Sequence, residues 1–400
     1  MGNLPDYVGV SALGLKMGII IPGSDVPKLV LEALAKCERD GLLDDGDTVC
    51  ITESVVARAQ NNFVSVEDIA HDLVAKTGIR KDGKLGVVFP ILSRNRFSLI
   101  LQGFAKAVQE GHVIVQLSYP NDEVGNQLID SDLAEALQKK YEDEITLAEI
   151  GQATFQHPIT GVNYIDFYKQ IVTAEGAQAE IVLCNDPLKI KTYQPDVIVV
   201  ANIHERQHTL AKLKGNKADQ IITLQDLCND LAAPAGSEYG LLGSNMSSNN
   251  KLKLAPRNAD QIANQIQDMV AETLQRQVEV IVYGDGAYCD PTTRIYELAD
   301  PKPAFGLTSG LRGKYREGFK YKLVVDNMYA EGINLADMES QLAQRKRGVG
   351  QRDSMETEGT TPRKAEDLIA SLADLISGSA DAGTPDRKST RLNSSHGRRS

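Results

Sequence analysis

Apolar runs of strand length alternate along the chain with apolar residues at helical spacing, which predicts an α/β protein. In the first part, a helix capped by Ser24 or Asp25 is followed by the strand Thr48–Thr52. Ser65 and Asp68 have the spacing of a capping box and predict the start of a second helix.

In the middle of the chain, residues 84–235, short apolar strands alternate with helices. Two of the helices are predicted over Ser98–Val108 and around Arg206–Leu213. The predicted strands are Leu85–Ile91, Val113–Leu117, Ile181–Cys184, Val197–Ala201 and Ile221–Leu224. Nearly continuous apolar strands of this kind indicate a mostly parallel sheet with helices on both faces.

The last part of the chain again predicts a helix feeding a strand. The helix Ala259–Leu274 precedes the strand Val278–Tyr283, and a final helix is predicted over Glu366–Ile376. Residues 344–363 are polar, charged and rich in Gly and Thr, so we expect a mobile loop there.

The net charge of −11 conceals a basic C-terminal end. Residues 386–400 hold five basic residues and one acidic residue, and their sequence looks like a translated sequencing adapter. The alternative is a basic, disordered tail. We expect the adapter and leave the segment out of the fold, which would put the end of the natural sequence after Pro385.

The charge, the apolar runs and the cysteines of the chain argue against several classes of function. An acidic body argues against general nucleic-acid binding, and no apolar run has the ~20 residues of a membrane span. The N-terminus lacks the basic region of a secretory signal. The five cysteines are scattered without a CxxC pair, so we expect reduced thiols in a cytoplasmic protein, with neither zinc nor a thiol nucleophile.

Four segments carry the motifs that point to a function. They are MGIIIPGSD at 17–25, VCITESVVARA at 49–59, the stretch 240–282 that begins GLLGSN, and GSADAGTP at 378–385. In this order and spacing they resemble one family, the γ-glutamyl ligases that add glutamate to the deazaflavin coenzyme F-420. The resemblance covers residues 7–80 and 236–385, which is about half of the chain.

The resemblance implies a ligase-like α/β domain, formed by residues 7–83 and 236–385 and interrupted by an inserted α/β module at 84–235. It implies a homodimer that binds GTP (or ATP) with Mg²⁺ or Mn²⁺ and joins L-glutamate to an acidic small-molecule acceptor. In such chemistry the acceptor carboxylate takes the γ-phosphoryl group, and the amine of glutamate attacks the resulting acyl phosphate.

The same resemblance assigns roles to individual residues. The nucleotide-contacting positions carried over from the family are Met17, Gly18, Ile19, Ile20, Glu53, Ser54, Arg58 and Asn245. The small-residue loop with Gly378, Ser379 and Gly383 would close over the phosphates. Two family metal-binding aspartates fall here on Leu242 and Gly284, and the acidic residue of the C-terminal loop falls on Ser379. A leucine cannot bind magnesium, so other oxygens must be recruited or the chemistry must differ.

Several candidate residues have two interpretations. Asp285, one residue after Gly284, is either a metal ligand at the end of a strand or a turn residue. Arg58 is either a phosphate ligand or part of a surface ion pair. Asp122, with Glu123, could replace the missing metal oxygens, whereas the alternative is an acidic cluster at a helix N-terminus.

Other polar residues of the chain are weaker candidates. Arg94 and Arg96 follow a predicted strand and could bind a substrate carboxylate or phosphate. His204 and His208 have the spacing of a metal pair, but an exposed helix face explains them better. The acidic residues at 290, 297 and 300 are expected to be solvated or capping.

Two functions therefore stand side by side. The first is a nucleotide- and metal-dependent amide ligase, in which the inserted module reshapes the acceptor pocket. The second is a non-catalytic relative that binds a nucleotide or an acidic metabolite and uses the inserted module for partner contacts. The loss of the aspartate at Leu242 favours the second function, whereas Asn245 and Asp285 favour the first.

Overall fold

A computed structural model of the chain describes residues 8–150, 156–157, 160–215, 220–285, 300–316, 320–347 and 363–380. The helices are α1 (Val26–Arg39), α2 (Glu53–Ala59), α3 (Val66–Thr77), α4 (Phe97–Ala107), α5 (Ser131–Ala136), α6 (Leu147–Ile150), α7 (Tyr164–Ala174), α8 (Arg206–Leu213), α9 (Ala259–Leu274), α10 (Tyr321–Ala330), α11 (Leu335–Arg347) and α12 (Ala365–Ile376). The strands are β1 (Thr48–Thr52), β2 (Phe63–Ser65), β3 (Lys84–Val88), β4 (His112–Leu117), β5 (Gln178–Leu183), β6 (Val197–Val200), β7 (Gln220–Thr223), β8 (Asn245–Met246), β9 (Lys251–Lys253), β10 (Glu279–Tyr283), β11 (Ala304–Leu307), β12 (Tyr315–Arg316) and β13 (Arg363–Lys364).

The largest sheet is formed by β3 to β7 in the order β5-β4-β3-β6-β7, and every pairing in it is parallel. Alternate residues of its strands face two different cores. One face carries Val87 and Val115 toward α4 and α7, and the other carries Val88 and Ile198 toward α8. The predicted α/β class and the parallel sheet with helices on both faces are confirmed.

A second, three-stranded sheet has the order β1-β10-β11, with β1 and β10 parallel and β11 antiparallel to β10. Val280 and Val282 pack toward α1 and α9, while Ile281 and Tyr283 pack toward α12 on the other face. The parallel register joins Thr52 to Tyr283, so the residues that follow these strands emerge at the same edge.

Two smaller sheets complete the described part of the fold. One has the antiparallel order β2-β9-β8, and the other pairs β12 with β13. The buried side chain of Asn62, next to β2, bonds to the backbone of Gly236 and Ala255 at 2.8–3.0 Å. This contact ties the segment after α2 to the segment that leads into α9.

Local sequence signals account for most helix ends. Asp25 caps α1 by accepting from the N–H of Lys28, and Ser65 with Asp68 forms the expected capping box of α3. Several sequence predictions were wrong in their bounds, and two of these errors have a clear physical cause. The first strand of the large sheet ends at Val88 because Phe89 takes a positive φ of 55°.

The second error concerns residues 344–347, which were expected in a loop and instead continue helix α11. Met338 and Leu342 of this helix are buried against Val324 and Met328 of α10. That packing stabilises α11, and no helix-breaking residue follows until Gly348. Arg363, the last residue of the predicted loop, lies in β13, and residues 348–362 lie outside the described residues.

The division into a ligase-like domain and an inserted module stays a prediction. The described strands of residues 84–223 pair only among themselves. However, α3 packs closely against α4, since a side chain at Gly103 would lie 2.7 Å from Ile69 Cγ2. Ile69 and Leu73 of α3 therefore share a core with the parallel sheet.

Candidate functional site

The candidate site lies at the edge where the parallel strands β1 and β10 end. Glu53 follows β1 directly as the first residue of α2, and Gly284 and Asp285 follow β10. Since Thr52 and Tyr283 are register partners, the two segments are neighbours. The carboxyl ends of parallel strands are where α/β proteins gather ligand-binding groups.

Glu53 and Ser54 form a polar network with Lys253 of β9. The Lys253 ammonium donates to Glu53 Oε1 and, at 2.9 Å, to Ser54 Oγ, which in turn donates to Glu53 Oε1 at 2.7 Å. The Lys253 and Glu53 side chains are only 10% and 11% exposed. Glu53 Oε2 is buried without a hydrogen-bond partner among the described residues. A buried carboxylate oxygen normally has a hydrogen-bond donor, an ordered water or an ion as its partner.

Asn245 is brought to the same network by sheet register. It is the cross-strand partner of Lys253 in the β8–β9 pair. Its side-chain oxygen accepts from the N–H of Met246 at 2.9 Å, and that N–H also donates to Asn95 O at 2.6 Å. Of the residues carried over from the family, Glu53 and Ser54 therefore bond to Lys253, and Asn245 lies opposite Lys253 on the neighbouring strand.

A second charged cluster lies at the end of β10. Arg96 donates from Nη2 to Asp285 Oδ2 at 2.7 Å and from Nη1 to Asp300 Oδ1 at 3.1 Å. The N–H of Asp285 donates to Asp300 Oδ2 at 3.0 Å. Burial, and then the charge of Asp285, raise the pKa of Asp300 to about 7, which the Arg96 charge opposes and the charge of Glu53 reinforces. The electrostatic interaction between Glu53 and Asp300 links the two clusters.

Asp300 was expected to be solvated or capping, and this prediction was wrong. The residue is 2% exposed and holds the turn after β10. Gly284 makes room for it, because a Cβ there would lie 2.4 Å from Asp300 Oδ2. Asp285 is thus both a turn residue and a carboxylate at the strand end, and its role as a metal ligand stays a prediction.

The segment with Met17, Gly18, Ile19 and Ile20 passes the opposite end of α2. Gly18 has a φ of +80°, Ile19 is 91% exposed and Ile20 is buried. The segment is anchored by the N–H of Gly23, which donates to Ala59 O, the last residue of α2, at 2.8 Å. The neighbouring Arg58 is exposed and makes no ion pair with another described residue.

The loop after α12 approaches the N-terminal segment. A Cβ at Gly14 would lie 2.4 Å from Ser379 Oγ, so these two stretches are in close contact. Gly378 has a φ of +69°, a conformation that favours glycine at a helix end. Gly383 lies outside the described residues, and the predicted closure over phosphates stays a prediction.

Asp122 is held by amide groups and has no described contact with the clusters above. Its carboxylate accepts from the N–H groups of Leu92, Val124 and Asn126 and from the Asn126 side chain at 2.8–3.0 Å. Burial raises its pKa to about 6, although these donors oppose the shift. The geometry favours a loop-organising role over the predicted metal role.

Glu123 caps the turn that precedes α8. Its carboxylate accepts from the N–H groups of residues 203, 204 and 205, which come just before the helix. The alternative reading of the acidic pair, a cluster at a helix N-terminus, therefore describes Glu123 well. His204 and His208 are both exposed near the start of α8. Within the described residues, no group of three His, Cys, Asp or Glu is arranged to hold a metal ion.

Sequence reasoning missed Lys253 and the protein partners of Arg96. Lys253 lies in a run of alternating lysine and leucine, which gives no signal that one lysine is buried while Lys251 is exposed. Arg96 was a candidate for binding a substrate carboxylate or phosphate, and its guanidinium pairs here with two protein carboxylates. Arg94 is exposed, and burial together with the Arg94 charge lowers the pKa of His157.

Comparisons with known proteins agree with the motifs at this site. Residues 14–386 match the family described as F420-0:Gamma-glutamyl ligase, and the matched range includes the segment predicted to be an insertion. The chain is 34% identical over 77 residues to the coenzyme F420:L-glutamate ligase of Methanothermobacter thermautotrophicus. That stretch covers 18% of this chain and 30% of the relative's length. No solved structure matches the chain. None of the described helices is long and apolar enough to cross a membrane.

Proposed function

The chain belongs to the F420-0:gamma-glutamyl ligase family, and from that premise we propose that it is a nucleotide-dependent ligase that forms a γ-glutamyl amide. Its substrates would be L-glutamate, GTP or ATP, and a coenzyme F-420-like or other acidic acceptor. The proposal includes Mg²⁺ or Mn²⁺ as the accompanying metal and a cytoplasmic homodimer, both of which the family resemblance implies.

The reaction needs two kinds of charge stabilisation. An oxygen of the acceptor carboxylate attacks the γ-phosphorus, the nucleoside diphosphate leaves, and the amine of glutamate then displaces phosphate from the acyl phosphate. Negative charge builds first on phosphate oxygens and then on a tetrahedral carbon centre. Cations and hydrogen-bond donors fixed beside these atoms lower the barrier.

The observation that carries the proposal is the convergence of Glu53, Ser54, Asn245 and Lys253 at the strand edge next to Asp285. The Lys253 ammonium, fixed by Glu53 Oε1 and Ser54 Oγ, would offset charge on a bound phosphate. The Asn245 amide lies across from Lys253 and would donate to the nucleotide. These groups lie on strands and at a helix start, which makes their positions well defined.

The residues present fit a divalent cation in their chemistry. Asp285 and Asp300 offer carboxylate oxygens, and the buried Oε2 of Glu53 has no described partner. Mg²⁺ is usually bound through one or two carboxylates together with substrate phosphates, so Asp285, with Asp300 beside it, is the residue expected to hold the ion with the nucleotide. A bound cation would supply charge neutralisation at the phosphates.

The proposal is tested first by isothermal titration of GTP and ATP, each with Mg²⁺ or Mn²⁺. We expect one nucleotide to bind, and Ser54→Ala to weaken its binding about ten- to a hundredfold, because a charge-assisted hydrogen bond contributes about 1.5–3 kcal/mol. Ser248→Ala is the matched control, since Ser248 is also an exposed serine but lies outside the network. Equal affinities of the two variants would argue against this nucleotide site.

Catalysis is tested by incubating the protein with nucleotide, metal, L-glutamate and the deglutamylated deazaflavin acceptor. The expected product is an acceptor heavier by one glutamyl residue, with one phosphate released per amide, as seen by mass spectrometry and phosphate assay. Phosphate release without a glutamyl product would point to another amine or acceptor. If neither the glutamyl product nor phosphate forms, ligase activity with this acceptor is refuted.

One observation favours the non-catalytic alternative. Leu242, at the family's metal-binding aspartate position, is 1% exposed and belongs to the core shared with the parallel sheet. The chain therefore has no carboxylate at that point of the site. Nucleotide binding without turnover of any acidic acceptor, under conditions that keep the chain folded, is the result that this alternative predicts.

A further inference from the structure

Arg96 reaches the candidate site from the parallel-sheet segment. Arg96 lies between β3 and α4, whereas its two carboxylate partners, Asp285 and Asp300, lie between β10 and β11. The guanidinium bonds to Asp285 through one terminal nitrogen and to Asp300 through the other, at 2.7 and 3.1 Å. The side chain of Arg96 is 19% exposed, and that of Asp300 is 3% exposed.

The backbone around Arg96 is held in place by contacts on both sides. The N–H of Arg96 donates to Ser93 Oγ at 3.1 Å, and the N–H of Ser93 donates to Tyr168 Oη at the same distance. The carbonyl of Asn95 accepts from the N–H of Met246 at 2.6 Å. The position of the guanidinium is therefore set by α7 and β8 as well as by its own segment.

The two carboxylates need a cation between them. Asp285 and Asp300 are connected through a backbone N–H and lie close enough for the charge of one to disfavour ionisation of the other. Gly284 permits this approach, because any side chain there would collide with Asp300. A planar guanidinium with donors in a fork suits two carboxylates at once. A hard divalent ion prefers the same oxygens and neutralises both charges.

We propose that Arg96 is a resident cation of the Asp285–Asp300 pair, and that a divalent metal binds to this pair only by displacing the guanidinium. The inference rests on the proposed function, because it concerns the metal expected at Asp285. The inserted segment would then set the metal affinity of a site formed by the rest of the chain. The apparent affinity for metal is reduced by the fraction of molecules in which Arg96 occupies the pair.

The test measures binding of Mn²⁺ alone, without nucleotide, by electron paramagnetic resonance. We expect Arg96→Gln to bind Mn²⁺ at least about tenfold more tightly than the unchanged chain, because the competing cation is gone. The double variant Arg96→Gln with Asp285→Asn should lose this gain, since one of the two carboxylates is neutralised. Arg94→Gln removes the same charge from an exposed residue in the same segment and should leave the affinity within about twofold.

Circular dichroism establishes that each variant is folded. If Arg96→Gln does not fold, Arg96→Lys decides the question, since lysine keeps one charge but cannot bridge both carboxylates. Tighter Mn²⁺ binding by Arg96→Lys than by the unchanged chain supports the proposal, and unchanged binding overturns it. Equal tightening by the variants at 94 and 96 also overturns it, because general charge would then be the cause. If Arg96 is shown to compete with Mn²⁺ but the protein forms no γ-glutamyl amide, the proposed function is refuted and this inference is not.

Discussion

Replacing Lys253 with methionine tests whether the buried network around Glu53 has the energetic weight that its geometry implies. The substitution keeps the length and apolar stem of the side chain but removes the ammonium. Glu53 would then retain only the Ser54 hydroxyl as a donor, while its second oxygen already lacks a described partner. Removing one member of a buried ion pair leaves an uncompensated charge.

The size of the effect follows from the burial of the pair. With both side chains about nine-tenths buried, breaking the pair should cost about 3–5 kcal/mol. The hydrogen bond from Ser54 to Glu53 is present in both proteins and therefore cancels in the difference. We expect Lys253→Met to lower the free energy of unfolding by about 3–5 kcal/mol.

Urea denaturation followed by far-UV circular dichroism is the suitable assay, since the chain contains no tryptophan. Lys251→Met is the matched control, because Lys251 lies on the same strand and is exposed, and it should change stability by less than about 0.5 kcal/mol. Adding Glu53→Gln to Lys253→Met should recover at least half of the loss. A cost within about 1 kcal/mol of the Lys251 control would refute the reasoning.

Three further predictions concern the strand end and the buried loop acid. Asp285→Asn should abolish metal-dependent nucleotide binding while the fold stays intact, because it keeps the shape and removes the charge; unchanged affinity in isothermal titration would leave Asp285 a turn residue. Gly284→Ala should destabilise the chain by about 1–3 kcal/mol in the same urea assay, since its Cβ would displace Asp300, and an unaffected midpoint would contradict that packing. Burial raises the pKa of Asp122 from 3.8 to about 6, so the folded state binds this proton more tightly than the unfolded chain does. Stability should therefore fall by at most about 3 kcal/mol as the pH rises through this window, and Asp122→Asn should flatten that part of the profile; an identical slope in both proteins would be the contrary result.

Features that depend on a few neighbouring residues could be predicted from the sequence. The capping box of Ser65 and Asp68 and the apolar periodicity of α9 each depend on residues three or four positions apart in the sequence. The end of α11 could not be predicted in the same way, since its stability depends on packing against α10 rather than on its polar composition.

The charge partners of the site were beyond the reach of sequence reasoning. Arg96 lies 189 residues from Asp285 and 204 from Asp300, and Lys253 lies 200 residues from Glu53. No local pattern marks which of many charged residues will be buried together, because that choice is made by the packing of separate sheets. The family resemblance identified Glu53, Ser54 and Asn245 but not the lysine that they surround.

The balance of charge at the strand edge explains why these long-range partners matter for function. The carboxylates of Glu53, Asp285 and Asp300 face the cations of Lys253 and Arg96, which leaves a net charge of −1 when all five are ionised. A surface of that sign would repel a polyphosphate, since buried charges are little screened by salt. Another positive charge that enters with the phosphate would relieve this repulsion, and burial followed by the charge of Asp285 raises the pKa of Asp300 above its ordinary value. Under the proposed function, a nucleotide that arrives with its divalent cation would bring that charge, and Asp285 would be a ligand for the cation.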